Sequence, residues 1–257
     1  EPFMHPEYLK MLDTTSQLNS RTDIDIYSHG MLLGAEIFEA LIKSRVTNLH
    51  ISLDGATSIT HRFTRGGNVE HVFSNLKLLN EIKIKAGSHY PQVRFNFGFN
   101  NKNVKELPQL VQIAQSLGVS SIDLVQLQCH TDELRKLFLG FSELIESQDY
   151  KQASVEAQKA NIQMGSPKPF SGCLDPLKML MVSWEGFVMP CYMDEHVVGD
   201  LRRESLEQIW NNEKIRNLRR ALLYGKGEEK CGLCNKLNVN NFYRSSPRGK
   251  TSRFSLG

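Results

Sequence analysis

The sequence has no apolar run approaching the roughly 18 residues that a membrane span needs, and no signal peptide opens it. A net charge of +3 over 257 residues is too small to argue for nucleic acid as a partner. Much of that excess sits in the terminal "RSSPRGKTSRFSLG", where Arg244, Arg248, Lys250 and Arg253 stand among Ser, Pro and Gly and read as a solvated tail. Without a leader the expected compartment is the cytoplasm, where five cysteines read as thiols or metal ligands rather than disulfides. An initial Met is lacking too: the chain opens "EPFMHPEYLKML", inside a loop that enters a helix, and is expected to be N-terminally truncated.

What is present is the composition of an ordinary globular protein, 40% hydrophobic and 23% charged, enough for one large or two modest domains. Strand and helix alternate. "TDIDIYSHG" near residues 22–28 is a strand followed by the helical "MLLGAEIFEALIKS". "VTNLHISLDG" is a second strand, then come a polar loop and a helix with apolar Val69, Val72, Phe73, Leu76 and Leu79 at helical spacing. "PQVRFNFGFN" precedes a helix that Asn103 and Glu106 are placed to cap, with Pro108 in its first turn and Gly118 at its end. "SSIDLVQLQ" is the fourth strand, and residues 131–163 read as a long polar helical stretch. Four repeats of this alternation predict parallel βαβ units, in an open sheet or part of a β/α barrel. Either architecture gathers Ser28–His29, Ser52–Gly55, Asn100–Asn103 and Cys129–His130 around one mouth, at the C-terminal ends of the strands.

The rhythm changes near residue 166. Residues 177–184 and 187–191 predict a hairpin turning on Glu185–Gly186, which returns Cys191 toward Cys173. Ser205 and Gln208 have capping-box spacing for a helix running toward Gly225, after which come Cys231 and Cys234. Cys173, Cys191, Cys231 and Cys234 thus offer four thiolates to one centre, and their spacing alone suits zinc or a 4Fe–4S cluster equally.

Several stretches in order resemble one family. "EPFMHPEYLKML", "HISLDGATSITHRFTRGGN" and "NNKNVKELPQLVQIAQSLGV" are similar to barrel segments of radical SAM enzymes. Cys173, Gly186 through Cys191, "VVGDL", "SLEQIWNNEK" and the Cys231/Cys234 pair resemble that family's auxiliary-cluster domain, of the twitch or SPASM type. The resemblance implies an α/β fold in which residues 1–165 form the C-terminal portion of a partial (β/α)6 barrel. A small α+β domain of hairpin plus helix occupies 166–243 and a basic flexible tail 244–257. Because no cysteine follows Cys234, the twitch arrangement with one auxiliary 4Fe–4S cluster is expected, as in aminocyclitol dehydrogenases of aminoglycoside biosynthesis.

The resemblance also implies chemistry. The parent would be an oxidoreductase or maturase using S-adenosylmethionine, a catalytic 4Fe–4S cluster and an electron donor such as flavodoxin or ferredoxin. Its substrate would be a sugar, another small metabolite or a peptide. Glu1 and Pro2 would meet the methionine amino group, Ser52 and Asp54 the ribose or methionine end, Arg65 the carboxylate and Asn103 the ribose. Cys129 and His130 are candidates for substrate contact, and His29 has no assigned role. None of the five cysteines has the C-x3-C-x2-C spacing of the catalytic cluster, so this chain alone is expected to be unable to cleave S-adenosylmethionine. The rival reading is a non-catalytic module stapled by zinc, or a degenerate relative.

Overall fold

The computed structural model of the chain describes residues 1–18, 22–126, 132–165, 174–191 and 196–223. It divides into two compact units, Glu1–Pro167 and Lys168–Gly257.

In the first unit five parallel strands lie in the order β1 (Asp25–Ser28), β2 (Asn48–Leu53), β3 (Gln92–Phe99), β4 (Ser121–Gln126) and β5 (Gln163–Met164). The order never reverses. Since crossovers between parallel strands are right-handed, an unreversed order carries every crossover over the same face, as in a barrel, whereas a doubly wound sheet switches faces. α1 (Tyr8–Leu18) precedes the sheet, and the crossovers carry α2 (Ala35–Lys43), α3 (Ser58–Thr64), α4 (Val69–Ala86) and α5 (Leu107–Ser116). The last crossover holds α6 (Asp132–Arg135), α7 (Phe141–Glu146) and α8 (Gln148–Lys159).

The alternation in β3 explains the layering. Val93, Phe95, Phe97 and Phe99 all point to one face and are fully buried, joining Leu49, Ile51 and Leu53 of β2. The same core takes in Phe38 and Leu41 of α2, Leu76 and Leu79 of α4, Leu110 of α5 and Ala153 of α8. Each phenylalanine so buried contributes about 2 kcal/mol. Gln92, Arg94, Asn96 and Gly98 fall on the opposite face, which is polar.

Several local expectations are corrected. The polar loop after β2 contains α3, because the Thr57 hydroxyl accepts the Thr60 N–H and starts a helix. The long helical stretch expected over 131–163 is, among its described residues, three helices within 132–159, broken where Ser147 stops one and caps the next through Tyr150 N–H, and Gln163 opens β5. Asn103 and Glu106 form no capping box, since a single turn of 3-10 helix at Val104–Glu106 intervenes before α5 and both side chains bond elsewhere.

The second unit holds α9 (Asp175–Lys178), a three-stranded antiparallel sheet of β6 (Met181–Val182), β7 (Phe187–Met189) and β8 (Gly199–Asp200), then α10 (Leu206–Trp210) and α11 (Glu213–Leu223). The hairpin turn has three residues where two were expected. Ser183 N–H donates to Phe187 O and Gly186 N–H to Ser183 O, which places Gly186 at φ 89°, a conformation that favours glycine. The Ser205/Gln208 capping box is present, but the expected single helix is two, because Asn212 breaks it and caps α11 by accepting from Ile215 N–H. Val188, Val198, Ile209 and Ile215 make the small core, and the Arg219 guanidinium ties α11 to Pro176 O and Trp210 O at 2.7 and 2.9 Å.

Candidate functional site

Because the strands are parallel, the segments leaving them meet at one end of the sheet. At β1, Ser28 is the last residue, and it receives the Glu1 carboxylate. The Glu1 side chain is only 5% exposed. Its Oε1 and Oε2 each accept from Ser28 Oγ at 3.0 Å, and Oε2 also accepts from His29 N–H at 2.9 Å. The His29 Nε2 lies 3.2 Å from the same oxygen. Ser28 Oγ in turn accepts from Gly30 N–H at 2.9 Å. Pro2 opens a 3-10 turn, Pro2–Met4, that carries Phe3 edge-on to Tyr8. The Tyr8 hydroxyl is pushed above its usual pKa by burial and then by the Glu1 charge.

At β2, Asp54 is buried just beyond the strand end. Its Oδ1 accepts from Arg65 Nη2 at 3.1 Å, its N–H donates to His61 Nδ1 at 3.3 Å, and its carbonyl accepts from Asn103 Nδ2 at 3.0 Å. The space beside the carboxylate exists because β3 has glycine there: a Cβ on Gly98 would stand 2.5 Å from Asp54 Oδ1. Burial lowers the His61 pKa, with Asp54 opposing, which keeps its Nδ1 lone pair available to the Asp54 N–H. Arg65 is 38% exposed, and Asp54 is its one ion-pair partner among the described residues. Ser52 lies one inward step back on β2.

The loop after β3 suspends this β2 loop. Asn103 is fully buried; its Oδ1 accepts from Asn100 N–H at 2.7 Å, while Nδ2 donates to Asp54 O and, at 2.7 Å, to Gly98 O. Glu106, buried and without an ion-pair partner among the described residues, accepts from Ala56 N–H at 2.7 Å, from the Thr57 hydroxyl at 3.2 Å and closely from the Thr60 hydroxyl. Both residues therefore act on the protein. The Asn100, Asn103, Glu106 spacing was the available signal, and helix capping was the wrong use for it. The polar face of the sheet carries Tyr27, His50, Arg94 and Ser121 in one registered row and Ser52, Asn96 and Asp123 in the next. Tyr27 stacks on His50 at 4.2 Å, and Arg94 Nε donates to Asp123 at 3.3 Å. Sequence reasoning singled out Ser52 of this set and missed the rest.

Of the four candidate metal thiolates, Cys191 is described, half-buried two residues beyond β7. Cys173, Cys231 and Cys234 lie outside the described residues, as do Cys129 and His130.

An unreversed parallel α/β sheet with a charged, hydrogen-bonded mouth at one end defines a barrel-type α/β protein. Residues 1–114 match the Radical SAM superfamily and residues 173–235 match SPASM, an iron-sulfur cluster-binding domain. The chain belongs to the radical SAM proteins that carry a SPASM domain, whose cofactors are S-adenosylmethionine and 4Fe–4S clusters. It is 24% identical to the AdoMet-dependent heme synthase of Methanosarcina barkeri over 91% of its own length and 72% of that protein's. It is also 24% identical, over 83% of its length and 65% of the relative's, to a Pyrococcus furiosus protein that modifies the cofactor of a tungsten-containing aldehyde ferredoxin oxidoreductase. The fold is that of SuiB from Streptococcus suis, with a TM-score of 0.71 at 15% identity over 96% of this chain and 63% of SuiB. SuiB has also been solved with S-adenosylmethionine and with its precursor peptide SuiA. The chain thus spans from 63% to 72% of the length of these proteins. No helix among the described residues is long and apolar enough to cross a membrane.

Proposed function

We propose that residues 1–165 supply part of the S-adenosylmethionine and substrate site of a radical SAM oxidoreductase or maturase. The observation that carries this reading is the pairing, at one end of a parallel sheet, of a buried carboxylate in a cup of donors with a buried Asp54 that holds the partly exposed Arg65. These groups fit the zwitterionic methionine end of the cofactor. Glu1 Oε1 keeps a lone pair for the ammonium, and the outer N–H groups of Arg65 suit a carboxylate. Pro2 holds Glu1 by starting the turn behind it, and Asp54 aims Arg65. The Ser52 hydroxyl is assigned to a ribose hydroxyl. Asn103 serves the site through Asp54 and Gly98.

Once bound, the cofactor and its cluster supply hydrogen-atom abstraction, and the protein supplies position. We assign that step to the whole protein, with a flavodoxin or ferredoxin as electron donor and the cytoplasm as its compartment. The polar sheet face, with Cys129 and His130 beyond β4, is the proposed substrate wall. SuiB's precursor peptide and the cofactor-modifying relative support a peptide or small-metabolite substrate. Cys173, Cys191, Cys231 and Cys234 are assigned to one auxiliary 4Fe–4S cluster, which accepts an electron or braces its domain. The test is 5′-deoxyadenosine formation by the whole protein, reconstituted without oxygen and reduced. Arg65→Gln should weaken S-adenosylmethionine about tenfold, a loss on the order of 1.4 kcal/mol. Absence of 5′-deoxyadenosine from the cluster-loaded protein would defeat the reading.

A further inference from the structure

His29 has no part in that account, yet its ring is fixed on both sides. Met31 N–H donates to His29 Nδ1 at 3.0 Å. A ring nitrogen that accepts carries no hydrogen, so the proton of the neutral imidazole sits on Nε2, the atom 3.2 Å from Glu1 Oε2. Oε2 therefore has three donors: the Ser28 hydroxyl, the His29 N–H and the His29 Nε2–H. Among the described residues Oε1 has one, the same Ser28 hydroxyl shared between the two oxygens. A carboxylate oxygen has two lone-pair sites, so Oε2 is saturated and Oε1 is left open.

We infer that His29 is a positioning residue for Glu1, pinning Oε2 so that Oε1 is the oxygen presented to a ligand's ammonium. The inference rests on the reading of Glu1 as the acceptor for the amino group of S-adenosylmethionine. Without the ring, the Ser28 hydroxyl and the His29 N–H still hold the carboxylate, but nothing prevents it from turning to share both oxygens among two donors. Glutamine is the informative substitute, because its side-chain amide reaches toward the Nε2 position with an N–H and no aromatic bulk.

The test is S-adenosylmethionine titration calorimetry on the whole, cluster-reconstituted protein, comparing wild type, His29→Ala, His29→Gln, Glu1→Ala and the Glu1→Ala/His29→Ala double variant. His29→Ala is expected to weaken binding about tenfold, equivalent to roughly 1.4 kcal/mol. His29→Gln should recover to within about threefold of wild type, and His29→Ala should cost nothing further once Glu1 is gone. A ring that merely packs would give no recovery with Gln and an additive loss in the double variant, and either result overturns the inference. If Glu1→Ala weakens binding and His29→Ala does not, the inference alone falls. If Glu1→Ala leaves the affinity unchanged, the assignment of Glu1 falls and takes the inference with it.

Discussion

Replacing Gly98 with alanine tests the geometry of the mouth with a single methyl group. The new Cβ would lie 2.5 Å from Asp54 Oδ1 and 3.3 Å from its Cγ. The backbone of Gly98 is not left-handed, so alanine meets no torsional barrier there and the conflict is purely steric. Asp54 has little freedom to retreat. Its N–H is held by His61, its carbonyl by Asn103, and Oδ1 is the atom bonded to Arg65. Crowding a packed site costs about 1–3 kcal/mol. A further few tenths follow from straining an ion pair whose arginine is more than a third exposed. Stiffening the unfolded chain returns about 0.4–1 kcal/mol. The net expectation is a loss of about 1–2 kcal/mol, which for a chain of this size lowers Tm by roughly 2–6 °C. Since the clash turns the carboxylate that aims Arg65, S-adenosylmethionine affinity should fall about tenfold in parallel. Thermal unfolding and titration calorimetry read the two effects. Wild-type Tm together with wild-type affinity would refute the packing argument.

Glu106→Ala should cost about 3 kcal/mol, because it strands the buried Ala56 N–H and frees Thr57 and Thr60; denaturant unfolding and faster exchange of the Ala56 amide would show it, and an unchanged midpoint would contradict it. His61 makes stability fall in acid. Its folded-state pKa lies below the ordinary 6.5, so the unfolded chain binds the extra proton first and stability declines as pH drops through 6.5 toward the lower folded value. His61→Asn, which keeps an acceptor for the Asp54 N–H, should flatten that part of the stability-against-pH curve; an unaltered curve would refute the sign.

The barrel half was legible because its signals are local and repeated. Val93, Phe95, Phe97 and Phe99 alternate, α4 repeats apolar residues at helical spacing, and both announce which face is buried. The direction of winding was open until the strand order was known. What the sequence hid were contacts between separate loops. Asn103 and Glu106 have capping spacing, but the β2 loop offers Asp54 O and Ala56 N–H, a buried carbonyl and a buried amide that these two side chains satisfy. His29 and Gly98 act on Glu1 and Asp54, 28 and 44 positions away, and no pattern within one segment reports that.

The proposed assignment of Cys173, Cys191, Cys231 and Cys234 to one 4Fe–4S cluster can be read from the protein's metal content. The most direct measurement is iron, sulfide and zinc content, with a visible spectrum, on this chain reconstituted without oxygen. About four irons and four sulfides per chain are expected, lost on Cys191→Ser or Cys231→Ala. One tightly held zinc with no sulfide would contradict it, leaving a zinc-stapled module.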